Sequence, residues 1–143
     1  GRVLHHWNDT TPLPAPGVRV VIQPRTDAGT PGEQTAPVFT RVETFTDTAT
    51  GRWSVELPLG MVFPAAPTPS DPVLSLPMPV DIIFNYEVLA GTGTDPNTGL
   101  ISDTFNVLEY IMQTSITHAD TEHIPTVYVS EFDRVGQYVV THP

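Results

Sequence analysis

The stretch Thr44-Phe45-Thr46-Asp47-Thr48-Ala49-Thr50-Gly51-Arg52-Trp53-Ser54-Val55-Glu56-Leu57-Pro58 decides the fold class of this 143-residue chain. Trp53, Val55 and Leu57 fall on one side of an extended run, and Arg52, Ser54 and Glu56 fall on the other, which is the two-residue period of a half-buried strand. Asp47 opens the connection before it and Gly51 closes it, an arrangement suited to a tight turn in which glycine takes positive φ beside a bulge. Residues 38–47 and 52–57 are therefore expected to form a hairpin with Trp53 in or at the core, ended by Pro58.

The same period extends outward. In residues 18–23, Val18, Val20 and Ile22 alternate with Arg19, Val21 and Gln23 before Pro24 ends the run. Residues 25–37, with Gly29, Pro31, Gly32 and Pro37, read as a loop. A strand is expected over residues 80–90, where Ile82, Phe84, Tyr86 and Val88 alternate with Asp81, Ile83, Asn85 and Glu87, and a turn over residues 91–99. Residues 102–116 are open to two readings. Phe105, Leu108, Met112 and Ile116 sit at helical spacing, whereas the abundance of Thr, Val, Ile, Phe and Tyr favours strand. Two short strands over residues 126–132 and 135–141 bring the count to about seven, the number expected of a β-sandwich.

Composition agrees. Thr and Val, at 20 and 17 residues, are the most used types, and both favour strands, while 16 prolines oppose helix. The formal charge of −10, with six Arg and no Lys, argues against nucleic acid and against an anionic membrane surface as partners. No apolar run is long enough to span a bilayer as a helix, and no signal-peptide pattern is present. Without cysteine there is no disulfide scaffold, thiolate metal site or thiol nucleophile.

Ten of the prolines lie in residues 12–16 and 58–79. Residues 1–17 read as an extended arm rather than a core element, carrying His5, His6 and Trp7, ordered only by docking on its own domain or on a neighbouring subunit. Residues 58–79 combine seven prolines with Met61, Val62, Phe63, Val73, Leu74, Leu76 and Met78. Such a segment is expected either to pack across the domain's own sheet or to contact another subunit. The candidate interface residues are Trp7, Pro12, Pro14, Phe63, Leu74, Leu76 and Met78.

Polar clusters carry less. His118, Asp120, Glu122 and His123 are four potential metal ligands within six residues, but consecutive loop residues seldom converge, and a solvated loop is the expectation; His118, Asp120 and His123 stay as weak metal candidates. Asp95-Pro96-Asn97-Thr98-Gly99 with Asp103 partly matches a calcium loop but lacks the oxygen ligand where Gly99 stands and the Glu at the twelfth position, which is Asn106. A Gly-x-Ser-x-Gly elbow, a catalytic lysine and a phosphate-binding glycine loop are all missing, so the chain is expected not to be an enzyme and to need no cofactor. Asn8-Asp9-Thr10 fits an N-glycosylation pattern.

The hairpin quoted first, read as T-D-x-x-G-x-W/F-x-V-x-L-P, resembles that of prealbumin-like and carboxypeptidase-regulatory-like β-sandwich domains. Versions of it in minor tail and baseplate proteins of phages infecting high-GC actinobacteria are followed by an S/D-D-P loop and a Y-x-V strand. Here Ser70-Asp71-Pro72 and Tyr86-Glu87-Val88 stand in that order, and arginine in place of every lysine agrees with a GC-rich coding sequence. The resemblance spans residues 18–88; the long proline loop and the stretch after Gly99 have no counterpart in it. Bacterial adhesins carry similar hairpins, but without lysine a Lys-Asn isopeptide crosslink cannot form.

The resemblance implies a single Ig-like or prealbumin-like sandwich over residues 18–143 behind the arm of residues 1–17. It also implies a non-enzymatic virion structural protein of a tailed phage, either a tail or tail-tip component or a capsid decoration protein. Such a protein would dock on other virion proteins and on copies of itself, and its exposed loops could meet a host glycan. The alternative is a carbohydrate-binding or adhesin module using aromatics such as Trp7, Tyr110 or Tyr128.

Overall fold

The computed structural model describes residues 1–5, 13–24, 41–57, 78–116 and 121–143. Its seven strands are β1 (Val3–Leu4), β2 (Arg19–Pro24), β3 (Val42–Phe45), β4 (Met78–Thr94), β5 (Ile101–Ile116), β6 (Val127–Tyr128) and β7 (Asp133–His142), with a 3-10 turn at Val129–Glu131. The molecule is almost entirely β and has the arrangement of a sandwich. Five antiparallel strands in the order β3-β2-β4-β5-β7 make one sheet, and the short parallel pair β1-β6 makes the second.

The core lies where β2, β4 and β5 run together. Val20 and Ile22 on β2, Val80, Ile82 and Phe84 on β4 and Ile116 on β5 point to one side, as alternation along each strand requires. Val3, Val127, Trp53 and Phe132 cover them from the other layer. Phe84 is at the centre: its ring centroid lies 6.0 Å from that of Trp53, edge-on, 6.2 Å from Tyr110 and 6.3 Å from Phe132.

The first residues belong to this core rather than standing away from it. Val3, Leu4 and Ala15 are buried, so in its described parts the expected arm is docked on its own domain. Backbone bonds explain why: Val3 N–H donates to Gly51 O at 2.8 Å, Trp53 N–H to Gly1 O at 2.9 Å, Val127 N–H to Arg2 O at 3.0 Å and Ala15 N–H to Val3 O at 3.1 Å. Residues 1–5 thus run as a strand between three other segments, and their burial follows from satisfied backbone on every side.

Several sequence expectations change at this level. The turn at Asp47–Gly51 forms as expected, with Gly51 at φ +70° and the Asp47 carboxylate accepting from Ala49 and Thr50 N–H at 2.8 and 2.9 Å. Those bonds hold the Asp47 carboxyl below the usual aspartate range. The two arms, however, do not zip into a hairpin. β3 pairs with β2, while residues 52–57 keep their alternation, Trp53 inward and Arg52, Ser54 and Glu56 outward, beside residues 1–2. Residues 102–116 are strand, since β4 supplies a continuous ladder partner. β4 itself is longer than expected at both ends. It takes in Met78 and Pro79 from the proline segment, and it runs through Gly91–Thr94 to a turn in which Gly99 has φ +73°. Pro79 lies at the start of β4, one residue before the last described β2 pairing, Pro24 with Val80, a strand-end position that accommodates proline.

One buried polar group ties the layers together. The Thr46 hydroxyl accepts from Val18 N–H at 2.9 Å and donates to Ala15 O at 2.7 Å, and Thr46 is buried. Thr46→Val removes the hydroxyl and leaves Val18 N–H and Ala15 O without it, and is expected to lower the unfolding free energy by about 2–3 kcal/mol, whereas Thr46→Ser keeps the hydroxyl and should lose about 1 kcal/mol or less. Urea titration of the pair against the parent chain tests this; equal losses would show that the methyl group, not the hydroxyl, matters.

Candidate functional site

Two features stand apart from the core. The first is an open cleft of about 1020 Å³ at the base of the sandwich, floored by Ile22, Ile82 and Ile116 and walled by Trp53, Val55 and Leu57. Its rim mixes Arg2 and Arg52 with Glu122 and His123. Buried Trp53 Nε1 has no hydrogen-bond partner among the described residues. No cluster of three His, Cys, Asp or Glu that could hold a metal ion occurs among the described residues.

The second feature is a blade. β2 pairs with β4 only as far as Asn85. Beyond it β4 and β5 continue as a long hairpin, and β7 joins along β5 from Glu109 to Ile101. The result is a three-stranded sheet that, among the described residues, has one layer. Directly opposed residues share a face, so the ladder assigns the sides. On the side that continues the core face, Gly91 and Gly93 lie opposite Thr104 and Ser102, which face Val139 and Thr141. On the other side, Leu89, Phe105 and Tyr138 form one row across the three strands, next to Val107 and Val140. Phe105 and Tyr138 are stacked at 5.2 Å and 19°. Leu89 and Tyr138 are 58% and 38% exposed, so apolar groups face water on a surface built by strands rather than loops.

Polar groups frame that apolar row. Tyr138 O–H donates to Glu87 Oε2 at 2.6 Å, Thr92 O–H to Asp103 Oδ1 at 2.8 Å and Asn85 Nδ2–H to Glu109 Oε2 at 3.0 Å. His142 Nε2 lies 2.8 Å from Asp103 Oδ2. Glu87, Asp103 and Glu109 on this face thus accept from neutral or cationic donors, and these cross-strand bonds stiffen the sheet.

The bond to Asp103, with a further one to Pro143 O, raises the His142 pKa; Thr92 and then His142 lower that of Asp103. The sign follows. The folded-state preference for protonated His142 is lost as pH rises through its raised pKa, and that for ionised Asp103 is lost as pH falls through its lowered one. An NMR titration is expected to place the His142 midpoint above the ordinary histidine value and to return it toward that value in Asp103→Asn. An unchanged midpoint would refute the pairing.

Trp7, Pro12, Phe63, Leu74 and Leu76, and of the metal candidates His118 and Asp120, lie outside the described residues. Pro14 bridges to Leu4, part-buried within its own domain; the Met78 backbone opens β4, opposite Ile116; His123 is exposed on the cleft rim. Asp95 accepts from Asn97 N–H at 2.8 Å, which accounts for the segment as a turn, and Asp103 is engaged with Thr92 and His142. The blade was legible only in the lengths of the apolar-alternating runs, which exceed what one core layer can cover. No family model, curated protein or solved structure matches this chain.

Proposed function

We propose that the chain is a virion structural protein of a tailed phage, a tail or tail-tip component or a capsid decoration protein, that acts by docking rather than by catalysis. The observation that carries the docking part is the blade: a sheet with Leu89, Phe105, Tyr138 and Val140 on one face and Val139 among small Gly, Ser and Thr groups on the other. A face of that kind has no role in folding its own core, and a prebuilt strand surface loses little entropy when a neighbour covers it. The virion part rests on the resemblance of residues 44–58 and of the motifs at residues 70–72 and 86–88. Glycan binding draws less support, because Tyr110 is stacked on Phe132 at 5.9 Å and packed against the core.

The test is mass spectrometry of purified particles of the phage whose genome encodes the chain. Recovery in a fixed copy number per particle is the expected result. Absence from particles, with the chain found only in the infected-cell lysate, would overturn the reading.

A further inference from the structure

We infer that β7 is the edge through which two copies of this chain pair, antiparallel about a two-fold axis at Tyr138, so that their five-stranded sheets become one. This inference rests on the docking reading and names the partner as a second copy. Among the described residues β7 is the last strand of the sheet and pairs on one side only, with β5. Its ten residues hold no proline and no lysine, two of the devices that keep an edge from pairing, and its bulge and its charged residues Asp133 and Arg134 are confined to its first three residues. Val135, Val139 and Val140 are exposed on it.

The register comes from the pairing with β5. β7 carries one extra residue between Arg134 and Gly136, so Asp133, Gly136, Tyr138, Val140 and His142 all share the outer face. In a two-fold pair, residue i meets j and j meets i, on the same face. Centring on Tyr138 then sets Val139 against Gln137 of the second copy, Val140 against Gly136, Thr141 against Arg134 and His142 against Asp133. The last pair matches a base with an acid. Within one copy Asp133 lies opposite Glu109, an unfavourable like-charge pair that an incoming His142 would offset. Centring on Val139 leaves Asp133 and Arg134 without partners, and centring on Gln137 leaves Thr141 and His142 without them. The Tyr138 register also continues the row Leu89–Phe105–Tyr138 straight into its copy, doubling the apolar face.

Because the chain has no cysteine, single cysteines report this contact alone. Cα atoms opposed across an antiparallel pair lie about 4.5–5.5 Å apart, within the reach of a disulfide. Tyr138→Cys is therefore expected to cross-link to a dimer under mild oxidant, and Val140→Cys, about 14 Å from its own copy along the strand, to remain monomeric. Light scattering of the unmodified chain should rise toward twice the monomer mass with concentration. His142→Asp should weaken association roughly three- to tenfold, and adding Asp133→His should restore it, although the Asp103 contact stays lost. No cross-link at position 138, a cross-link at position 140, or failure of the charge exchange to restore pairing would overturn the inference. A chain present in particles yet never cross-linked would remove the β7 pair and leave the docking reading intact. A cross-linked chain absent from particles would do the reverse.

Discussion

Phe84→Ala should lower the unfolding free energy by about 3–5 kcal/mol, the range for deleting a large buried aromatic. Phe84 is fully buried, and the three rings around it are fixed by different parts of the chain. Trp53 is held by its backbone exchange with Gly1, Tyr110 by the β4–β5 ladder and Phe132 by its bond to Val129 O. Those bonds fix the backbones that carry the rings, so the vacated space can refill only in part by side-chain rotation. Against a typical total of about 5–15 kcal/mol, the loss is large enough to leave part of the variant unfolded at room temperature. Ile111→Ala, on the outer face and half exposed, is the control and should change stability by about 0.5 kcal/mol. Urea unfolding followed by tryptophan fluorescence distinguishes them; similar midpoints would mean that the core is not centred on Phe84.

Gly51→Ala should cost about 3 kcal/mol or more, and for a different reason. Gly51 has φ +70°, and a Cβ there would fall 2.3 Å from Val3 O and 3.2 Å from the Pro14 side chain. Relief requires residues 1–5 to move away, which gives up the bonds from Val3 N–H to Gly51 O and from Ala15 N–H to Val3 O. Gly99 supplies the comparison, since its φ of +73° is equivalent but nothing lies within 4 Å of a Cβ. Gly99→Ala should therefore show only the backbone cost, about 1–2 kcal/mol. Thermal unfolding of the two variants isolates the contact, and equal losses would refute it.

Fold class and most strands could be read in the residues, because alternation at Val20–Ile22, at Trp53–Leu57 and at Ile82–Phe84 depends on chemistry local to each run. Pairing could not. The tight turn at Asp47–Gly51 suggested that its arms zip together, yet β2 and residues 1–2 compete for those backbones and win. Residues 1–17 looked like an arm because their prolines are conspicuous and Val3 and Leu4 are isolated apolar positions without a period. Their slot is built by residues 51–53 and 127–130, too distant in sequence for any local signal. The blade was missed for a similar reason: whether Leu89, Phe105 and Tyr138 face a core or water depends on where β2 stops.

The parallel pairing of β1 with β6 joins Val3 to Val127, close to opposite ends of the chain. Closing so long a loop carries the greatest entropy cost of any contact in the fold, so it is favoured only once β2, β4 and β5 have assembled. During synthesis Val3 and Leu4 therefore emerge long before their partners and stay uncovered until residues 127–130 have left the ribosome.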